Sequence, residues 1–105
     1  DEEFLTKLIE LIEANIGNPH FNIEQFAQEL AVSRALLFTK IKTLTDHTPK
    51  NFLKSFRLKR AAQLLSTGKL NVSEVAYQVG FNEPKYFSRV FQQEFGVPPS
   101  QYAEA

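Results

Sequence analysis

Two stretches of this 105-residue chain match one another, and that repeat limits the possible folds more than any other feature. The first is FAQELAVSRALLFTKI, residues 26–41, and the second is VAYQVGFNEPKYFSRVF, residues 75–91. Phe26, Ala27, Leu30, Ala31 and Val32 correspond to Val75, Ala76, Val79, Gly80 and Phe81. One residue is then inserted in the second copy, after which Leu37 and Ile41 correspond to Phe87 and Phe91. The residue types have a physical logic. A small residue, Ala27 or Ala76, lets two helices cross closely. Ala31 or Gly80 falls where the chain must turn sharply, and glycine tolerates a positive φ there. Val32 or Phe81 plugs the corner after the turn. The next helix buries positions four apart and leaves its other face outward. Each copy therefore reads helix, tight turn, helix.

The rest of the chain carries helix signals and no period-two alternation, so the expected fold class is all-α. Residues 3–16 place Phe4, Leu5, Leu8, Ile9, Leu11, Ile12 and Ile16 on a broad apolar stripe, closed by Gly17, Asn18 and Pro19. Asn22 with Gln25, and Asn71 with Glu74, have the spacing of capping boxes. Ser33 is placed to cap a helix that buries Leu37, Ile41 and Leu44, and Asn82 to cap one that buries Phe87, Val90, Phe91 and Phe95. Thr48-Pro49 opens a long helix to Ser66, with Gly68 beyond it, and Pro98-Pro99 opens a short last helix carrying Tyr102. The expected organisation of residues 1–105 is a first subdomain over about 4–47, a linker helix over about 49–66 and a second subdomain over about 71–104.

Paired helix, turn and helix is the helix-turn-helix layout, whose second helix enters the major groove of DNA. Net charge is zero, which by itself argues against a nucleic-acid partner, but its distribution does not. Residues 1–30 carry one Lys against seven Asp/Glu, whereas residues 31–60 carry eight Lys/Arg against Asp46 alone. A basic middle can hold phosphates while the acidic end stays away from them. The rival reading is a helical protein–protein interaction module that uses the same helix faces without DNA. No catalytic constellation is legible. His20 and His47 stand alone in turns without a second ligand at metal spacing, and the four glycines do not form a phosphate-cradling loop. With no cysteine, a thiolate metal site or disulfide is excluded. No cofactor and no metal are expected, and no apolar run reaches the ~18 residues of a membrane span.

RLKRAAQLL (57–65), NVSEVAYQVGFNEPKYFSRVFQQEFGVPPSQY (71–102) and SRALLFTKIKTLT (33–45) resemble the AraC/XylS-type DNA-binding domain of bacterial transcription activators over nearly its full length. The resemblance implies seven helices in two helix-turn-helix subdomains joined by a long central helix, with recognition helices near 33–44 and 83–94. The opening DEEFLTKLIELIEANI looks like the output domain that ends some hybrid two-component sensors of gut Bacteroidetes. That narrower resemblance implies a membrane-anchored parent with sensor, kinase and receiver parts outside this chain, and a cytoplasmic place for this domain. The implied partners are promoter or operator DNA and RNA polymerase, with no small-molecule ligand and no membrane contact by this domain.

If Leu37 and Ile41 point inward, Arg34, Ala35, Phe38, Thr39 and Lys42 point outward. If Phe87 and Phe91 point inward, Lys85, Tyr86, Ser88, Arg89 and Gln92 do. The family's base-contacting positions map onto Ala35, Phe38 and Thr39, and onto Lys85, Ser88 and Arg89. Lys85 and Arg89 suit guanine O6 and N7, whereas Ala35, Phe38 and Thr39 suit thymine methyls or shape. The chain departs from many relatives at Thr39, where a long polar side chain is common. Phe38 has an equal claim to face the central helix, and Tyr86 to pack beside Phe87. Backbone-contact candidates are Ser33, Arg34, Lys40, Lys42, Lys50, Lys54, Asn82, Tyr86 and Gln92. Arg57 or Arg60 is expected to brace the subdomains by pairing with a carboxylate, Glu74 or Glu94. The linker helix, about 27 Å long at ~1.5 Å per residue, roughly matches the ~34 Å between successive major grooves on one face of B-DNA.

Overall fold

The computed structural model describes residues 2–104, so the two terminal residues of the expected 1–105 domain lie outside the described residues. Among the described residues it contains seven helices and no strand, as the helical periodicity leads one to expect. They are α1 (Glu2–Ala14), α2 (Ile23–Leu30), α3 (Arg34–Thr45), α4 (Pro49–Ser66), α5 (Val72–Gln78), α6 (Pro84–Phe95) and α7 (Pro99–Glu104). They form two compact units. One takes the residues up to Ile16 with His20–Lys54; the other takes Gly17–Pro19 and the residues from Ser55 onward.

In the first unit α1 buries Leu8 and Ile12, α2 buries Phe26 and Ala27, and α3 buries Leu37 and Ile41. The α1 stripe extends to Ile16, yet the helix ends at Ala14, where Asn15 turns its side-chain amide back onto the Leu11 carbonyl at 2.9 Å. That local bond competes with the next helical turn. Phe21 packs edge-on against Phe26 with ring centroids 4.6 Å apart. Leu44, expected in this core, is 39% exposed. The buried stripe of α3 stops at Ile41, one turn short of its cap at Asp46, because helical phase alone does not say whether another element overlies the last turn.

The second unit has an aromatic core. Phe87 lies 5.2 Å from Phe81 and 5.6 Å from Phe91, and Phe91 lies 4.5 Å from Phe95 and 5.5 Å from Tyr102. Such pairs each add ~0.5–1.5 kcal/mol beyond the area they bury. Into this unit α4 sends Arg57, only 8% exposed. Its Nη2 donates to the Asn18 carbonyl at 2.7 Å and its Nη1 to the Gly80 carbonyl at a longer 3.5 Å. Of the two arginines open to a carboxylate partner, Arg57 has main-chain carbonyls in that place. Glu74 accepts from the backbone of its own cap residue, Asn71, and Glu94 from Ser55. Two main-chain carbonyls engage the outer edge of a desolvated cation without burying a second charge. Burial lowers the Arg57 pKa from its ordinary value. Arg60 rests over the Phe56 ring.

The structural repeat runs further than the sequence match. Asn22 and Gln25 form a reciprocal capping box at the start of α2, and Asn71 and Glu74 form another at the start of α5. In both copies the residue after the turn donates back to the small residue, Val32 to Ala27 at 3.0 Å and Phe81 to Ala76 at 2.9 Å. Ser33 and Glu83 are the N-caps of α3 and α6, so the inserted residue is Asn82 and the helix expected to be capped by Asn82 starts one residue later. The cause is Pro84. A proline holds the preceding residue in the extended region, and Glu83 has φ −131° and ψ 101° there. Both helices end on a left-handed residue, Asp46 or Gly96, whose N–H donates to Lys42 or Gln92. Pro49 and Pro99, both buried, then open α4 and α7.

The two turns differ in one atom group. Ala31 has φ 55° and Gly80 has φ 93°. An L-residue in the left-handed region costs roughly 1–2 kcal/mol, offset for glycine by ~0.4–1 kcal/mol of extra chain entropy in the unfolded state. Ala31→Gly is therefore expected to stabilise the chain by ~0.5–1 kcal/mol, and Gly80→Ala to destabilise it by at least as much, since φ 93° lies further from the left-handed well. Urea denaturation measures both; a neutral Gly80→Ala would mean that this turn is not held left-handed.

Candidate nucleic-acid interface

On α3 the inward pair Leu37 and Ile41 leaves Arg34, Ala35, Phe38, Thr39 and Lys42 exposed, and Ser33 is exposed at its cap. Phe38 is 48% exposed, which removes the alternative that it faces the core. Ser33 accepts from the Leu36 N–H at 3.0 Å, so its side chain is already engaged in ending the helix. The outward face is apolar at its centre, and Leu36, 44% exposed, extends it. Sequence reasoning passed over Leu36. It lies three residues before Thr39 and next to buried Leu37, at the border of the stripe, where one residue of phase decides between core and surface.

On α6 the inward set Phe87, Val90 and Phe91 leaves Lys85, Tyr86, Arg89 and Gln92 exposed and Ser88 half-buried. Tyr86 is 40% exposed, 6.1 Å from the Phe81 ring. The Arg89 guanidinium stands over the Tyr86 ring at 5.3 Å, a cation–π contact that restrains a long side chain. Lys85 makes no ion pair among the described residues. This face can donate hydrogen bonds from two cations, two hydroxyls and an amide, whereas the centre of the α3 face offers methyl, ring and hydroxyl surface.

The α6 start is a poor anion cradle by itself. Its N-cap is Glu83, which makes no side-chain cap bond, and Pro84 has no N–H. Asn82 is exposed one residue outside that cap.

The remaining cations are not equivalent. Lys50 is exposed and Lys54 half-buried in the first turns of α4, and neither makes an ion pair among the described residues. Lys40 is half-buried with its ammonium 4.8 Å from the Phe4 ring centre. Its place beside Ile41 foreshadows this. Arg34 reaches Glu24 at 3.4 Å, and Lys42 reaches both the carbonyl and the carboxylate of Asp46. Among the described residues no group of His, Asp and Glu could hold a metal ion, and no helix is long and apolar enough to cross a membrane.

A family model described as a helix-turn-helix domain matches residues 26–105. Histidine kinase P4 of Formosa agariphila is 53% identical over 102 residues, covering 97% of this chain but 7% of that protein. The transcriptional activator RhaR of Escherichia coli K12 is 33% identical over 101 residues, 96% of this chain and 36% of RhaR. The chain thus spans a small part of these relatives. Among solved structures, an AraC-type DNA-binding-domain regulator from Chromobacterium violaceum superposes with a TM-score of 0.90 at 27% identity, covering 98% of this chain and 91% of that one. The DNA-binding domain of AdpA, in complex with a target DNA, gives 0.87 at 26% identity, covering 95% and 89%.

The two exposed carboxylates that hold Arg34 and Lys42 compete with any phosphate for those cations. Exposed pairs of this kind contribute little to stability. Glu24→Gln and Asp46→Asn are expected to shift the melting midpoint by no more than about 4 °C. Both should strengthen binding to duplex DNA at low salt, with the gain fading as salt screens it. Unchanged or weakened binding at low salt would show that neither cation meets phosphate.

Proposed function

The chain belongs to the AraC-type helix-turn-helix family, and on that premise we propose that it is the sequence-specific, double-stranded DNA-binding domain of a bacterial transcription activator. The observation that carries this reading is the doubled unit. The same capped helix, left-handed turn and second helix occur twice, each with an outward face free of core duties. In the proposal α3 and α6 each enter a major groove, successive grooves on one DNA face. The 18-residue α4, about 27 Å long at ~1.5 Å per residue, roughly suits that spacing, with some bending of the DNA.

The outward residues divide the work. Lys85, Ser88 and Arg89 supply hydrogen-bonded base readout; each good bidentate pair gives ~1–3 kcal/mol of discrimination. Ala35, Phe38 and Thr39, with Leu36 beside them, supply contacts to thymine methyls. Lys50 and Lys54 hold phosphates, joined by Arg34 and Lys42 once their carboxylates yield, and flanked by Ser33, Lys40, Asn82, Tyr86 and Gln92. The kinship with histidine kinase P4 supports a parent of hybrid two-component type, membrane-anchored, with kinase activity elsewhere in its chain and this domain as its cytoplasmic output. RNA polymerase is the second partner that an activator requires.

Binding selection from randomised duplexes tests the reading. Wild type should enrich a defined site, and its affinity should fall steeply with salt as condensed counterions are released. Arg89→Ala should flatten one or two positions in one half of that site, and Thr39→Ala should relax a position in the other half. If Arg89→Ala weakens all sequences equally while Thr39→Ala relaxes a position, the two halves are assigned backwards. No enrichment and no salt dependence would favour a protein partner instead.

A further inference from the structure

Arg57 is the one charged side chain buried among the described residues, and the reading of the outward faces does not use it. Its surroundings are specific. Nη2 donates to the carbonyl of Asn18 at 2.7 Å, and Nη1 makes a longer 3.5 Å contact with the carbonyl of Gly80, the turn residue that precedes α6. Its Nε is buried and meets no acceptor among the described residues, so the guanidinium is held from its outer edge alone. Gly17, next to Asn18, lies against the end of α5. A Cβ placed on it would stand 3.4 Å from the Gln78 carbonyl oxygen. Residues 17–19 thus belong to the second unit although α2 follows them in the chain.

We propose that Arg57 is a positioning residue for DNA recognition: by clamping the Gly80 carbonyl against the Asn18 carbonyl it fixes the turn from which α6 starts, and so sets where Lys85, Ser88 and Arg89 point. The inference rests on the DNA-binding reading for its functional consequence, but the clamp itself is independent of it. The turn needs the help. Gly80 sits at φ 93°, and glycine is the residue least able to hold one backbone conformation by itself. In the first unit the same turn is made by Ala31. The bond to Asn18 is short and charge-assisted, which anchors the guanidinium where little water competes, and the 3.5 Å contact to Gly80 is the longer arm that the anchored group holds in place. Arginine is suited to the task. Its planar fork reaches two acceptors at once, whereas a lysine ammonium is a point donor at the end of a flexible stem.

The two turns of the repeat give the experiment an internal control. Amide hydrogen exchange is measured on the purified 105-residue chain and on Arg57→Lys and Arg57→Met, together with selection from randomised duplexes. Arg57→Met should speed exchange of the Gly80 and Phe81 amides roughly tenfold or more, while Ala31 and Val32 keep near wild-type rates. Its selected site should lose preference in the half read by α6 and keep it in the half read by α3. Arg57→Lys should fall between the two, since it keeps the charge but not the fork. Equal acceleration in both turns, or a loss of affinity spread evenly over the site, would overturn the proposal and leave Arg57 as general core support. If Arg57→Met does not fold, Arg57→Lys decides by the same criteria. A wild type that selects no DNA while the exchange pattern holds would remove the DNA-binding reading and keep the clamp. A wild type that selects DNA while Arg57→Met changes neither readout would do the reverse.

Discussion

The constraint on which the rest of this molecule depends is the left-handed turn between the paired helices. At Ala31 and at Gly80 the chain reverses within a few residues, and the N–H that follows returns to the carbonyl of Ala27 or Ala76. That bond closes the first helix and fixes the direction in which the second one leaves. Once the direction is fixed, helical geometry leaves no choice about phase. Leu37 and Ile41 in one copy, and Phe87 and Phe91 in the other, must face the core. Phe38 and Thr39 in one copy and Arg89 in the other then face out, while Val90 joins the core. The surface offered to a partner is thus a consequence of the turn, and only the identity of the outward side chains is free to vary.

That freedom is used differently in the two copies. The exposed centre of α3 is Leu36, Phe38 and Thr39; the exposed face of α6 is Lys85, Tyr86 and Arg89. An apolar face and a cationic face built on the same backbone have different electrostatic reach. The apolar one acts only on contact, while the cationic one acts over a Debye length of ~8–10 Å in ordinary salt. The basic residues around α3 compensate in part. Several of them, Arg34, Lys40 and Lys42, are engaged with Glu24, Phe4 and Asp46 in the structure, so their charge is present but their donors are not idle.

Much of this was legible in the chain because the signals were local. Capping boxes, a proline at a helix start and apolar positions four apart each act within one turn of helix, and Asn22, Asn71, Pro49, Leu37 and Phe87 behave as their neighbours in sequence dictate. The readings that failed needed information from elsewhere. Asn82 looked like a cap until Pro84 restricted Glu83. Leu44 has the phase of a core residue but not the overlying element. Of Arg57 and Arg60, either of which was open to a carboxylate, Arg57 donates instead to two main-chain carbonyls far from it in sequence.

In the function proposed above, the repeat builds two DNA-reading units that share a backbone and differ in their outward side chains. Hydroxyl-radical footprinting of the 105-residue chain on its selected duplex tests it most directly. Two protected windows about one helical turn apart, ~10 base pairs centre to centre and on the same face, are predicted. A single window that is unchanged when Arg89 or Thr39 is replaced would contradict the account, because one of the two matching helices would then have no place on the DNA.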